Sequence, residues 1–522
     1  MEGNTKTKPV VVIGSGFSGA VAADQLVRAG VPVVMLERGP WRDTVPVRSM
    51  GIAERTPFPR GRAMWTSTLR SIRHRWLGRD GLLLNRRGLL EMFVDRGLTT
   101  VCSSSVGGGS HIYSAVFRYP QVEGFWDGFC DGVSDQSMQP HYESVLRRFD
   151  AVVPAADLKI PHTAAERFGP DDPVQGPQTM PPTWLGFLFP EQIGQPRKIV
   201  DANGIERWEM DYDDRDGHGF LGAPSGAKTT VDFLYLAPLL GRGLDLRDLC
   251  EATRLVAEPA GGGARYRVDY VDHRSGEAHA LHTDHVVLAA GAMNTLRLLL
   301  VSRDIEHTLS GMPQLGRRLG GNGDLFAFWD YNEAGRDLST GLPFHGGFQL
   351  KDERFPHMLT GGGWPAAHHY PLPGFVKERI KRGAFTSSMG IDAMDGNVCI
   401  RDGRLRIDFD PDHSPIYAEI KATFRRMSEV TGKRIYYPRN PITVHALGGA
   451  RLDRDIDHGV VGASGEIYGQ PGLFIADGAV FPQLPGGPPT LAIAAWAEHV
   501  GAGLGERLRA EVHGADAGQA VG

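Results

Sequence analysis

Apolar positions in this chain first gather into short unbroken runs. Residues 10–13 read VVVI and stop at Gly14, and an apolar run over 31–36 stops at Glu37, with a stretch of helical spacing to about Arg28 between them. Strands buried on both faces pattern as continuous apolar runs, so this stretch predicts a strand, a helix and a second parallel strand. The pattern returns between about 226 and 300, with an apolar helix over 231–240, strands near 244–249 and 264–270, a buried strand over 285–290, Gly291 and a helix over 295–302. The piece HVVLAAGAMNTLRLLL thus reads as a second strand-to-helix turn beside the first. A strand over 473–476, the pair Asp477-Gly478 and a helix over about 490–508 close the chain.

Between these regular stretches, 46–95 is rich in Arg and reads as irregular, 151–225 is rich in Pro, Asp and Gly, and 331–440 is mixed. No internal repeat occurs. A length of 522 residues exceeds what a single core usually organises. The alternation predicts an α/β (α+β) protein in which one domain interrupts another. Residues 1–45, 96–150, 226–330 and 441–522 form a discontinuous Rossmann-like nucleotide-binding domain. Residues 46–95, 151–225 and 331–440 form an interleaved substrate-binding domain on a mixed or antiparallel β-sheet with helices, the boundaries being approximate.

Net charge narrows the partners. At −5 the chain offers no basic excess for a nucleic acid. The lead before the first strand is too short for a signal peptide, and no apolar run reaches the ~20 residues of a membrane span, so the expectation is a soluble, cytoplasmic protein. Cys102, Cys130, Cys250 and Cys399 are widely spaced without a CxxC pair, which predicts neither a metal site nor a disulfide framework.

The turn Gly14-Ser15-Gly16-Phe17-Ser18-Gly19 carries the first chemistry. Gly14 lets the chain leave the strand sharply, Gly16 lets the backbone approach a pyrophosphate, and Gly19 lets the helix sit close on the sheet. Free N–H groups at the helix start face phosphate oxygens. Glu37, at the tip of the second strand, is placed to accept hydrogen bonds from an adenosine ribose.

Six motifs in order then resemble the glucose-methanol-choline (GMC) family of flavoproteins, most closely its cholesterol-oxidase branch. They are GSGFSG with Glu37, SVGGGSHIYSAVF at 105–117, AAGAMNT at 289–295, GNGDLF at 321–326, VHALGG at 444–449, and IADGAVFP with PPTLAIAAWAE near the end. The resemblance covers nearly the whole chain and implies FAD. It implies that Gly14, Gly16, Phe17, Ser18, Gly19, Glu37 and Arg38 hold the ADP half. Val106, Gly107, Gly108, Gly109 and Ser110 pass the flavin and its phosphates, and Asp477 and Gly478 lie at the pyrophosphate and ribityl chain. Ala252, Ala290, Gly291, Asn322, Pro488, Pro489 and Thr490 complete the implied cofactor contacts. Where family members attach flavin covalently, a histidine stands two residues after the serine of GGxS; here that position is Ile112, beside His111, so the expectation is non-covalent FAD.

The resemblance implies alcohol oxidation, with hydride leaving carbon for the flavin and His445 of VHALGG taking or hydrogen-bonding the hydroxyl proton. A neutral imidazole suits that role near neutral pH. The family's second polar position, an asparagine or histidine, is Pro488 in this chain, which has neither a side-chain donor nor an N–H. Either His445 works alone or another residue assists, the candidates being His111, Tyr113, His368, His369 and Tyr370. The rival reading is an FAD-containing isomerase or lyase with no net redox, His445 shuttling a proton; a catalytically silent flavin-binding protein is a third. Glu378 is the acid nearest in sequence for a double-bond isomerisation.

An apolar segment at 183–190, TWLGFLFP, reads either as a hydrophobic lid or pocket wall or as core packing, and GGGWP at 361–365 as a mobile loop beside the pocket or a turn. Together they favour a bulky hydrophobic alcohol (sterol, terpenoid or polyketide) over a sugar, with O2 or another carrier accepting the electrons. Residues 60–87 hold eight arginines against Asp80, interleaved with Met64, Trp65, Leu69, Ile72, Trp76 and Leu77. Such a stretch is either a solvated basic face or a peripheral contact with anionic lipid or an acidic carrier protein.

Overall fold

A computed structural model of the protein describes residues 8–153, 174–175, 183–214, 219–261, 263–330, 332, 334–335, 337–343, 346–350, 357–364 and 366–519. Five short strands form a parallel sheet in the order Leu244–Arg247, Val33–Leu36, Val10–Ile13, Val286–Leu288 and Leu473–Ile475. Val11 pairs with both Val34 and Val286, so the two strand-to-helix turns read from the sequence do lie side by side. Helix Phe17–Arg28 packs on helix Thr490–Gln519. Glycines set that approach: a Cβ at Gly501 would stand 2.8 Å from the Ala22 Cα, and one at Gly505 2.8 Å from the Ala29 Cβ. The indole N–H of Trp496 donates to the Ile475 carbonyl at 3.0 Å and fixes the final helix to the last strand.

Several elements differ from the sequence pattern. In place of a helix over 231–240 the chain makes a π-helical turn Asp232–Leu236 and a 3-10 turn Ala237–Leu239; Pro238, which has no N–H, lies within the first two positions of the latter. Helix Ala292–Leu300 starts directly after Gly291, which adopts φ +78°. Strand Cys250–Ala257, absent from the pattern, opens a three-stranded antiparallel sheet with Tyr266–Asp272 and Ala278–Thr283.

Residues 46–95 are not irregular. Leu69–His74, Leu82–Leu83 and Leu90–Val94 join Thr99–Ser103 and Ile442–Thr443 in one sheet, and Leu90–Val94 pairs antiparallel with Thr99–Ser103. The segments on either side of residue 95 therefore share a sheet. Its alternation is concealed in the sequence because arginines occupy inward positions. Arg70 is buried and reaches Glu251 at 2.6 Å, Arg73 reaches Glu91 at 2.9 Å, and Arg79 reaches Glu306 at 2.6 Å. With Arg87, which lies 3.8 Å from Glu54, at least four of the eight arginines of 60–87 thus meet acids of the protein, while Trp65 and Trp76 remain exposed.

The second region is organised by a six-stranded antiparallel sheet in the order Ile435–Tyr436, Leu325–Trp329, Ala384–Gly390, His357–Gly362, Gly346–Leu350 and Val174–Gln175. Among the described residues no helix is long and apolar enough to cross a membrane. All four cysteines are unpaired.

Candidate active site

Between the parallel sheet and the six-stranded sheet lies a cavity of about 520 Å³. One end is built by the first strand-to-helix turn. Gly14, Gly16, Phe17 and Ser18 line it, and helix Phe17–Arg28 begins there with Gly16 as its N-cap, no side-chain cap and no acid in the first turn. The positive end of the helix is thus left for an anion. Glu37 and Arg38 line the same end. Glu37 accepts from the Ser15 N–H at 3.1 Å, the Ser15 hydroxyl at 2.8 Å and the Gly39 N–H at 2.7 Å. Burial pushes its carboxyl pKa up, against the pull of those donors.

Opposite this turn stand Gly108 and Gly109, with Ala252, Ala290 and Gly291 alongside. A Cβ on Gly108 would stand 2.6 Å from the Gly16 Cα, so the two glycine backbones meet in contact. A Cβ on Gly109 or Gly291 would meet no protein atom within 4 Å and would occupy the cavity itself. Asp477 and Gly478 line the wall towards the last strand. Burial raises the Asp477 pKa to about 6 although its carboxylate accepts from the Thr295 hydroxyl at 2.5 Å and the Ala479 N–H at 3.0 Å. An uncapped helix N-terminus, glycines that keep the channel open and a carboxylate at the ribose position fit an adenine dinucleotide.

Charged side chains gather at this end. Arg38 donates to Glu91 and to Asn294, and Glu251 meets Arg70, His273 and Arg297. Burial works against ionisation of Glu91, yet Arg38, Arg73 and Arg297 hold its carboxyl well below the usual range.

Five of the residues implied as cofactor contacts do not line the cavity. Gly19 lies behind it, where a Cβ would overlap the Gly14 carbonyl oxygen at 1.9 Å. Val106 is in the core with its N–H on the Pro40 carbonyl, and Gly107 donates its N–H to the Ser15 hydroxyl at 3.2 Å. The Ser110 hydroxyl donates to the Gly107 carbonyl at 2.6 Å, and the Asn322 side-chain amide donates to the Gly487 carbonyl at 2.9 Å. These residues hold the walls rather than form their surface.

His445, Pro488, Pro489 and Thr490 line the other end. His445 follows strand Ile442–Thr443 and is partly exposed. Its Nδ1 lies 3.0 Å from Oδ2 and 3.1 Å from Oδ1 of the fully buried Asp324. Asp324 Oδ2 also accepts from the Thr443 hydroxyl at 2.6 Å and the Val444 N–H at 3.2 Å. A carboxylate at Nδ1 assigns the ring proton to that nitrogen and leaves the Nε2 lone pair for another partner. Beneath this, Asp392 accepts from the N–H groups of Gly321 at 2.7 Å and Gly323 at 3.3 Å, which braces the loop that presents Asp324.

The residues considered as helpers of His445 lie elsewhere. His111 turns inward, its Nε2 2.8 Å from the Val106 carbonyl and 3.4 Å from Asp232. Tyr113 lines the cavity but donates its hydroxyl to the Thr229 carbonyl at 2.5 Å. His368, His369 and Tyr370 are not among the lining residues, and Glu378 is exposed beside Lys381 at 3.2 Å. Asp324 was within the motif GNGDLF, but it is 121 positions from His445, and no local pattern joins them. The segment 183–190 contributes no lining residue: Leu185 and Phe187 pack with Val116, Met210 and Leu342 as a small core. Gly362 and Trp364 of GGGWP do line the cavity, while Pro365 lies outside the described residues.

Comparison with known proteins follows the same geometry. Residues 191–320 and 416–497 match the N- and C-terminal profiles of the GMC oxidoreductase family, and residues 7–57 match an FAD binding domain. A 6'''-hydroxyparomomycin C oxidase of Streptomyces lividus is 26% identical over 560 residues, covering 96% of this chain and 92% of its own. A cholesterol oxidase of Acinetobacter baumannii is 22% identical over 560 residues, covering 94% and 92%. A 2-methyl-1,2-propanediol dehydrogenase of Mycolicibacterium austroafricanum is 27% identical over 318 residues, and that match spans about half of each chain, 57% of this one and 51% of the other. Among solved structures, pyridoxine 4-oxidase from Mesorbium loti superposes with a TM-score of 0.57 at 17% identity, covering 95% of this chain and 98% of that one. The chain belongs to the GMC oxidoreductase family, FAD-dependent enzymes with cholesterol oxidases among its relatives.

Proposed function

We propose that this protein oxidises the secondary hydroxyl of a bulky hydrophobic alcohol, a sterol, terpenoid or polyketide, to a ketone. The observation that carries the reading is His445, held at Nδ1 by Asp324 and lining a cavity whose wall on that side is largely apolar. Bound FAD supplies a two-electron hydride acceptor. His445 Nε2 takes the hydroxyl proton as the C–H pair departs as hydride, and the O–H pair becomes the second bond of the carbonyl. The imidazolium so formed faces a buried carboxylate, which stabilises it where charge develops. Pro488 supplies no hydrogen bond, so proton handling falls to the Asp324–His445 pair. The cavity residues named above would hold the cofactor, and dioxygen or another carrier would take up the two electrons. The parallel-sheet and six-stranded-sheet regions act as the nucleotide-binding and substrate-binding domains.

The test is to mix purified yellow protein anaerobically with sterols, terpenoid alcohols and polyketide alcohols and follow the flavin's visible absorbance. Bleaching with formation of the matching ketone supports the reading. An unchanged flavin with isomerised or eliminated product overturns it in favour of chemistry without net redox.

A further inference from the structure

The two ends of the cavity are chemically unlike. Of its charged lining groups, Glu37, Arg38, Glu251 and Arg297 cluster at the nucleotide end, and Asp477 stands on the wall towards the last strand of the parallel sheet. The six-stranded sheet contributes only uncharged side chains. Phe385, Ser387 and Met389 alternate along strand Ala384–Gly390 and so share one face, and Phe326 stands directly across from Ser387 on the neighbouring strand. All four line the cavity. Gly362, opposite Phe385 on the other side, has no side chain to fill the space in front of that ring.

Phe220 and Trp364 enter from loops and complete a box of four rings. Phe385 is its centre, with ring centroids 4.8 Å from Phe220, 5.3 Å from Phe326 and 5.2 Å from Trp364, the last edge-on at 81°. Each of the four is only partly buried, and each lines the cavity. Rings stacked to form a core would hide their faces from it. Phe326 lies two residues after Asp324, so the box adjoins His445.

We propose that the alcohol carries an aromatic ring or fused aromatic system next to its carbinol carbon, and that this ring seats against Phe385, Phe220, Phe326 and Trp364. The proposal rests on the reading of His445 as the proton acceptor and narrows its substrate class. Aromatic partners at offset or edge-on geometry gain a quadrupole term that a saturated ring lacks, and the Met389 thioether adds a favourable sulfur contact. A polyhydroxylated sugar would lose water from hydroxyls that this apolar face cannot satisfy.

The experiment measures binding separately from turnover. The FAD-loaded protein is titrated with 2-acetonaphthone, a ketone that cannot be oxidised at the carbinol position, and with its fully saturated decahydro analogue, following the flavin absorbance and tryptophan fluorescence. The aromatic ketone is expected to bind about tenfold more tightly, the size of one favourable ring pair. In Phe385→Leu that preference should shrink to within about twofold. Equal or tighter binding of the saturated ketone by the unmodified protein overturns the proposal, whether or not the variant folds. If the preference holds but 1-(2-naphthyl)ethanol fails to bleach the flavin anaerobically, the oxidative reading fails while the aromatic site stands. If saturated carbinols bleach it without any aromatic preference, the reverse is true.

Discussion

Asp324 and His445 are joined by a hydrogen bond of 3.0 Å from ring Nδ1 to a carboxylate that no solvent reaches. The same carboxylate is held by Thr443 and Val444, the two residues before the histidine, so backbone and ring are oriented by one anchor. Replacing Asp324 with Asn keeps the shape but frees the ring to take the wrong tautomer. The anaerobic rate of flavin reduction should fall about 10²- to 10⁴-fold, with FAD content unchanged. Asp324→Glu should recover part of that loss. Equal rates for Asp324→Asn and the unmodified protein would remove Asp324 from the mechanism.

Gly109 tests the cofactor channel. A Cβ there meets no protein atom within 4 Å, so Gly109→Val should fold and melt near the unmodified apoprotein but purify colourless. Gly19→Ala should behave oppositely. Its Cβ collides with the Gly14 carbonyl, and soluble protein should be lost. A yellow Gly109→Val protein with full flavin content would contradict the placement of the channel.

Asp477 predicts a pH dependence for the flavin-free protein. Burial lifts its pKa from 3.8 to about 6, so between those values the folded state holds more protons than the unfolded state. The stability tied to this proton is full below about pH 4 and lost as pH rises through about 6, a change of roughly 3 kcal/mol. Denaturant titrations should show Asp477→Asn apoprotein gaining on the unmodified apoprotein as pH goes from 4 to 7. A stability difference that stays flat over that range would be inconsistent with the shift.

Asn322 ties the loop that carries Asp324 to Gly487, beside Pro488, and does so at φ +56°, a left-handed conformation. Asn322→Gly loses the tether but keeps the backbone, at a cost of about 1–3 kcal/mol for the unpaired carbonyl. Asn322→Ala adds about 1 kcal/mol of backbone strain. Melting temperatures should therefore fall in the order unmodified, Gly variant, Ala variant.

The flavin should leave the polypeptide on denaturation. Ile112 occupies the position of the linking histidine, and the neighbouring His111 is buried with its ring on the Val106 carbonyl, away from the lining of the cavity. Acid precipitation should give a yellow supernatant and a colourless pellet; a yellow pellet would mean a covalent bond.

Four of the five strands of the parallel sheet were legible because each is buried on both sides, which writes a continuous apolar run into the sequence. The glycine turn at 14–19 was legible because its chemistry depends on residue type at short spacing, whereas His445 was singled out only through the resemblance of VHALGG to the family's motif. Strand Leu69–His74 was not, since Arg70 is buried at an inward position and satisfied by Glu251, 181 residues away. The pattern of apolar residues reports burial only where burial is apolar.

The sequence by itself determined the nucleotide-binding unit and the family, both of which rest on local order of residues, and pointed to His445 through the family's motif. The tertiary structure alone decided which acid meets that histidine, which glycines face the cavity, and that Phe385 and three rings from separate segments line one chamber. Those are contacts between segments far apart in the chain. They depend on how sheets and loops pack, and short-range pattern carries no record of that.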